Sequence, residues 1–600
     1  MSTFLEKVQK ILVVSFVVIL PFFFLPIFVN SFDTPKIILG GVVISILALT
    51  GAIRILTESK RELNLGTFGV PVAILVAAYL LSAILVTHNK MEAFFLPGTA
   101  TVVILGGFLY MLINQLSQRV KQILKIGIFI SGVLLSVVRV ILSLDLLPGI
   151  IPFPNLGQLG NFTPLGNLLQ EVLFLVTVLP LGLSLAFSQK NVLKKILIFT
   201  SLIVVALAIT SLVLKLYAKE DESMIFPDPD TSWQVAAGTL KEEPILGIGP
   251  GNYLSAFNRF IPLSYNATER WSQRFTFAGS YYLTVLTETG FFGATGFILI
   301  LLATARLIRQ AFLEKRISGE LISVSLILIF FAIFPAGTSL IILFFVLLSF
   351  LATEKHINFP RPIGVLVSIA AVAIIVLLVM PAINTVKAEV KFKQALMALS
   401  ANQISKGRDL MLESITTNNK VDRYQTVYAQ VNLAIAQGVA QKETITDEER
   451  ATISQLVQAA ISWAKASIAN NPGRSGNWLI LARVYQSIMG FAQGADVFAV
   501  QTLTQAVALD PLNPNLRIAL GGIYYSIGNY DEAIKAFELA TLAKPDLPNA
   551  HYNLAQAYRQ KGENDKAQEA LSKVLSLIDK ETPDFSLVEA ELEDIKAKKS

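Results

Sequence analysis

The sequence predicts an all-α chain, a polytopic bundle of about eleven transmembrane helices followed by an extracytoplasmic solenoid of helix pairs. Three observations predict it. The 600 residues are 53% hydrophobic and only 15% charged, with mean hydropathy +0.60. Basic residues alternate from one connecting loop to the next. From about residue 385 the chain turns polar, keeps helical periodicity and repeats itself.

The apolar windows lie at 11–30, 37–56, 69–87, 99–117, 123–144, 168–188, 194–217, 280–305, 321–334, 338–352 and 362–383. Most approach the roughly 20 apolar residues a helix needs to cross a bilayer. The windows 321–334 and 338–352 are short and read as a broken pair. The first window is too long for the apolar core of a signal peptide, and no small-residue cleavage site follows it. It reads as an uncleaved first helix.

Charge sets the orientation, because basic residues gather on the cytoplasmic side. With Lys7 and Lys10 inside, the inner loops carry Arg54, Lys60 and Arg61; Arg119, Lys121 and Lys125; Lys190, Lys194 and Lys195; Arg306, Arg309, Lys315 and Arg316; and Lys355 and Arg361. The short outer loops have only Lys36 and Lys90, and the connection 145–167 has no Lys or Arg. This puts the N-terminus in the cytoplasm and everything after residue 384 outside. The excess of basic over acidic residues, 49 against 43, reflects that topology and not nucleic-acid binding. Without cysteine, disulfides and thiolate metal sites are excluded.

The expected organisation is therefore N-terminal transmembrane helices over 1–217, a large extracytoplasmic loop over 218–279 and C-terminal transmembrane helices over 280–383. A helical, repeat-like linker follows over 384–473, then repeats over 474–600. In the repeats Tyr524 and Tyr558, Gly528 and Gly562, and Ala533 and Ala567 recur after 34 residues. In period and residue type, 513–546 and 547–580 resemble the tetratricopeptide repeat. There, small Gly and Ala positions are expected to let the two helices of a repeat approach. A looser unit at 474–512, with Tyr485 and Pro511, has extra residues between its helices, and helices from 385 to 470 extend the stack. The repeats serve either as a packing scaffold or as a concave surface for a protein partner or an acceptor chain.

The loop "PILGIGPGNY" (244–253) contains a Gly-x-Gly pattern of the kind that cradles nucleotides. No strand precedes it and no βαβ unit surrounds it, so the dinucleotide reading fails. Gly247, Gly249 and Gly251 instead permit tight turns against the membrane face.

Its wider setting resembles the O-antigen ligase and O-antigen polymerase family. "SWQVAAGTLKEEPILGIGPGNYLSAF" (232–257) and "GSYYLTVLTETGFFGATGFILI" (279–300) are similar to that family's Trp/Ala amphipathic helix, its Pro-x-x-Gly-x-Gly-x-Gly loop and its span bearing Glu-x-Gly-x-x-Gly. The residues are Trp233, Pro244, Gly247, Gly249, Gly251, Glu288, Gly290 and Gly293. Gly166 and Asn167, at the mouth of a span, and "FDTPKIILG" (32–40) extend the likeness. The resemblance implies transfer of a glycan from a polyprenyl diphosphate carrier to an acceptor hydroxyl of lipid, protein or glycan on the outer face. It implies neither cofactor nor metal.

The family usually carries a His-Asn pair nine residues before that Glu, with the His as proposed base, and here Gly279 and Ser280 stand there. Nor does the span 194–217 carry a Ser-Arg-Gly-like motif. His356 falls in an inner loop and His551 in a repeat, while His88 in "THNK" has nothing to mark it as catalytic. Either another group is the base or the chain is a diverged, inactive relative.

A leaving diphosphate calls for guanidinium groups. Arg259, Arg270 and Arg274 lie in the outer loop, the last two spaced to share one helical face. Arg139 sits within an apolar run, where an ionisable group points to function unless it snorkels to headgroups. Trp271 and Tyr265 are placed to stack on a sugar or anchor at the interface. Glu288 is either a base or, the favoured reading, the ion-pair partner of one of the arginines. The expected catalytic set is Glu288, Arg270 and Arg274, with Arg139, Arg259, Trp271, Gly247 and Gly249 binding substrate.

The acidic run Glu220, Asp221, Glu222, Asp228 and Asp230 reads as a solvated linker, and the sequons at Asn161 and Asn266 carry little weight in the bacterial cytoplasmic membrane that the resemblance implies. The rival function is a non-catalytic envelope assembly or anchoring protein that recruits a partner through the repeats. A transporter is disfavoured because the spans show no repeated halves.

Overall fold

The computed structural model describes residues 2–57, 62–143, 161–218, 225–358 and 360–597. Lys60 and Arg61, the stretch 144–160 of the outer connection, and Glu220, Asp221 and Glu222 lie outside them. The described chain is all-α except for one short antiparallel pair, Glu62–Asn64 with His356–Asn358. It divides into two compact units, one of residues 1–253 and 277–394, the other of 254–276 and 395–600.

Among the described residues seven helices are long and apolar enough to cross a membrane. They are Asp33–Thr57, Lys90–Asn114, Gln118–Ser143, Leu168–Ser188, Val192–Tyr217, Tyr281–Leu313 and Arg361–Ser400. Gly69–Leu85, Gly319–Ile333 and Thr338–Leu351 are apolar but shorter. Local chemistry fixes many of the ends. Asn167, Asn191 and Ser318 each accept a backbone N–H of the first turn of the helix that follows, satisfying donors that would otherwise be orphaned.

The first helix differs from expectation. It covers Ser2–Ile19 and gives way to a 3-10 turn at Leu20–Phe22, where the window had suggested helix to residue 30. Pro21 can start the new turn but cannot donate to the old one. The Thr338–Leu351 helix is buried on every side from Thr338 to Ser349, as an evenly apolar helix must be. Gly106 allows Phe345 to approach so closely that a Cβ there would lie 2.1 Å from its ring.

Several basic residues read as loop charges sit inside helices. Lys36 is 1% exposed and donates to the Pro164 carbonyl at 2.7 Å. Lys125 pairs with Glu320, and Lys121 donates to the Ser349 carbonyl. Fixed carbonyls and a carboxylate replace water around these ammonium groups.

The second unit stacks helix pairs. Ile404–Thr417, Asp422–Ala440 and Asp447–Asn470 precede Ser475–Ser487 with Ala495–Leu509, Pro514–Ser526 with Tyr530–Ala543, Pro548–Lys561 with Asn564–Leu577, and a last helix, Pro583–Ala597. Ala533 and Ala567 are fully buried between paired helices. The recurring glycines act otherwise than expected. Gly528 and Gly562 have φ of +77° and +84°, and a Cβ on either would touch nothing. They end a helix in the left-handed conformation that favours glycine. The close approach belongs to Gly521, where a Cβ would lie 2.5 Å from the Phe537 ring.

Candidate functional site

The Tyr281–Leu313 helix is broken at Gly290, with φ 61° and ψ −157°. In an unbroken helix Phe291 and Phe292 would donate to the carbonyls of Thr287 and Glu288 four residues back. The 244–252 loop enters that gap. Phe291 donates to the Pro244 carbonyl at 2.9 Å and Phe292 to that of Ile245 at 3.1 Å. On the other side Ile248 donates to the Thr287 carbonyl at 2.9 Å and Gly249 to that of Glu288 at 3.0 Å. These four backbone groups are thus paired with the loop, as buried amides require.

Side chains lock this splice. The Glu288 carboxylate, 1% exposed, accepts from the Gly251 N–H at 2.9 Å. Ser82 Oγ lies 2.6 Å from the Leu246 carbonyl and 2.9 Å from that of Glu288, and Thr87 reaches the Pro250 carbonyl at 3.2 Å. The glycines are required by space as well as by torsion. At Gly247 a Cβ would lie 2.3 Å from the Thr287 carbonyl oxygen, and at Gly249 it would lie 2.3 Å from Thr87 Oγ1. Glu288 thus fixes the loop, through a backbone N–H and not through an arginine as expected.

The position where the resemblance calls for histidine is closed. Gly279 donates to Ser232 Oγ at 3.0 Å, and a Cβ on it would lie 2.2 Å from the Pro227 carbonyl oxygen. Ser280 donates to the Phe331 carbonyl. Asp228, assigned above to a solvated linker, caps the Pro229–Glu242 helix by accepting from the Thr231 N–H at 2.8 Å. Trp233 of that helix is 54% exposed.

Arg139 does not snorkel. It is 1% exposed, and its guanidinium meets the Glu171 carboxylate at 2.5 Å and the Phe162 carbonyl at 2.7 Å. Beside Glu171, Gln170 accepts from the Gly337 N–H and donates to the Pro335 carbonyl, bracing the turn between Gly319–Ile333 and Thr338–Leu351. Glu171 and Ser82 went unmarked in the sequence although both stand in apolar runs, the same signal that singles out Arg139.

The remaining candidates belong to the second unit, where 254–276 lies along the turns between successive helix pairs. Asn258 donates to Ser475 Oγ at 3.2 Å, and Asn266 donates to the carbonyls of Leu512 at 2.7 Å and Ala543 at 2.9 Å. Lys544 returns a bond to the Asn266 carbonyl at 2.8 Å and stands 5.3 Å over the Trp271 ring. Arg274 pairs with Asp510 at 3.4 Å, the two side chains 18% and 3% exposed. Burial pushes the Asp510 carboxyl above its ordinary value, and Arg274 partly offsets this.

Arg270 and Arg274 share no helix face. They lie in an irregular turn whose shape is set by the Tyr265 hydroxyl donating to the carbonyls of Arg270 and Gln273. Arg270 is exposed, and exposed Arg259 stands 5.3 Å over the Phe260 ring. Arg139 and Glu288 lie in the first unit and the three loop arginines in the second. Among the described residues no His, Asp and Glu cluster suited to a metal is present.

Comparison with known families assigns the C-terminal helix pairs. A family described as "TPR repeat" matches residues 521–562, and one described as "Tetratricopeptide repeat" matches 548–580. Solved structures similar to this part include TTC0263, a TPR protein of Thermus thermophilus, at 18% identity over 35% of this chain and 99% of that one, TM-score 0.25. YrrB, described as a TPR protein with an unusual peptide-binding site, is 17% identical over 34% of this chain and 91% of its own, TM-score 0.26. MamA from Desulfovibrio magneticus is 15% identical over 32% and 94%, TM-score 0.26. No curated protein matches the sequence significantly.

Proposed function

We propose that this chain is a membrane-anchored assembly protein that recruits a protein partner through its tetratricopeptide repeats, built on a membrane domain like that of the O-antigen ligases. One observation carries the reading. The residue where that family holds its base is Gly279, packed so closely on Pro227 that no side chain fits. Two of the four candidate arginines are engaged elsewhere, Arg139 with Glu171 and Arg274 with Asp510, and Glu288 is spent on the loop. The repeats supply the recruiting surface, on the outer face in the orientation the basic residues favour.

A second reading, glycan transfer from a polyprenyl diphosphate to an acceptor hydroxyl, is favoured by the interlocking of the Pro-x-x-Gly-x-Gly-x-Gly and Glu-x-Gly-x-x-Gly stretches at one splice. Exposed Arg259 and Arg270 would then meet the diphosphate. The deciding experiment is glycan transfer in proteoliposomes from polyprenyl diphosphate donors, beside a deletion strain complemented with a repeat-truncated chain. Recruitment predicts no transfer by the purified protein and no rescue without the repeats. Transfer by the parent that falls in Arg259→Ala and Arg270→Ala would establish the second reading instead.

A further inference from the structure

The pair Ser475–Ser487 and Ala495–Leu509 departs from the repeats that follow it. From Val484 to Leu509 the sequence holds a single charged residue, Asp496. The outward positions of Ala495–Leu509 carry Val497, Phe498, Gln501 and Thr504, all exposed. One period of 34 residues further on, the same positions carry Asp531, Glu532, Lys535 and Glu538. One more period brings Asp565, Lys566, Glu569 and Ser572. Only the first set is without charge.

The turn within the pair is also longer. It spans 488–494, where 527–529 and 562–563 suffice in the next two pairs. In it Phe491 is 91% exposed, more than any other large apolar side chain among the described residues. Val497 and Phe498, in the first turn of the helix that follows, are 52% and 51% exposed. Phe498 stacks on Tyr485 with ring centroids 5.3 Å apart, which holds it at that surface. Single exposed apolar residues need no explanation, but a turn and helix start that present three together without charge mark a contact.

We propose that the 488–494 turn and the start of the Ala495–Leu509 helix rest on a lipid bilayer, with Phe491 at the boundary between headgroups and acyl chains. The inference depends on reading the first unit as membrane-spanning, whichever side the repeats occupy. The chain then carries its own bilayer, and a tethered surface needs only a modest apolar insertion to stay in contact. Shape favours lipid over protein. A ring exposed to 91% has no neighbouring wall to seat a partner's side chain, whereas it can enter a bilayer as it stands. Charge agrees, because a face like that of Asp531, Lys535 and Glu538 would be costly to desolvate.

Spin labelling of the full chain in phosphatidylcholine vesicles tests this. The chain has no cysteine, so each introduced thiol takes the label alone. A label at Phe491→Cys should meet oxygen, which concentrates among acyl chains, in preference to a water-soluble nickel chelate. Lys535→Cys, at an exposed position of the next repeat, should show the reverse. Leu377→Cys, 72% exposed on the apolar Arg361–Ser400 helix, reports the membrane reading itself. Giving the helix the charges of its neighbour, Val497→Asp with Gln501→Lys, should shift residue 491 toward the chelate. A lipid signature at 377 beside an aqueous one at 491 would overturn the inference alone. Aqueous signatures at both would overturn the membrane reading with it. A label at 491 shielded from both reagents would show a protein contact and overturn the lipid assignment, as would a lipid signature there that ignores the two new charges.

Discussion

Gly290→Ala tests whether the helix break is a built feature held by the loop. At φ 61° and ψ −157° a residue with a side chain pays a conformational cost of about 1–3 kcal/mol. The new Cβ would also lie 2.6 Å from the Pro244 oxygen and from the carbonyl carbon and oxygen of Ile245, against 3.4 Å for ordinary contact, so the loop must retreat by about 0.8 Å. That stretches the bonds from Phe291 and Phe292, now 2.9 and 3.1 Å, beyond useful length. Two lost bonds at about 0.5–1.5 kcal/mol each add roughly 1–3 kcal/mol, for a total of about 2–6 kcal/mol. If the helix instead closes on itself, Phe291 and Phe292 recover partners, but Pro244, Ile245, Ile248 and Gly249 lose theirs. Either way the loop is released. Thermal unfolding in micelles should show a midpoint lowered by several degrees, and limited proteolysis should cut within 244–252. Gly41→Ala is the control, since its Cβ would meet nothing within 4 Å, and it should melt like the parent. A Gly290→Ala protein that also melts like the parent and resists cleavage would refute the splice.

Three more outcomes are expected. A reporter active only in the cytoplasm should be silent when fused after residue 384 and active after Lys195; activity at 384 would overturn the outer placement of the repeats. Gly521→Leu should cost about 1–3 kcal/mol by overpacking Phe537, whereas Gly528→Ala should lose only about 1 kcal/mol from its left-handed torsion; equal midpoints would show the register to be wrong. Arg274→Ala should leave the Asp510 carboxylate buried without its cation, at about 2–3 kcal/mol, below the 3–5 kcal/mol of a fully buried pair because Arg274 is 18% exposed. Asp510 already titrates above its ordinary value in the fold, so its burial costs stability as pH rises from the unfolded carboxyl range through the folded value. Losing Arg274 enlarges that cost, so denaturant titrations should show the variant's deficit greatest at neutral pH and shrinking in acid; a deficit independent of pH would rule out the ion pair as its cause.

Composition and periodicity by themselves determined the all-α class and the C-terminal repeats, because both are local properties. An apolar window announces its own helix, and a 34-residue recurrence announces a stacked unit whatever lies around it. Local chemistry also acts at Asn167 and Asn191, whose side chains cap the helices that begin beside them, although the sequence reading marks neither as a cap. What the sequence misjudged were pairings between distant residues. Arg139 and Glu288 both stand out in apolar runs, yet only packing decided that one meets Glu171 and the other the Gly251 amide. The glycines show the same division. A sequence marks where backbone freedom is available, but Gly528 turns in open space while Gly521 admits a ring, and nothing in the 34-residue pattern tells these apart. Arg270 and Arg274 have helical spacing and no helix, since Tyr265 and Asp510 hold that stretch as a turn. Spacing specifies a face only once a helix exists, and tertiary hydrogen bonds decide whether it does.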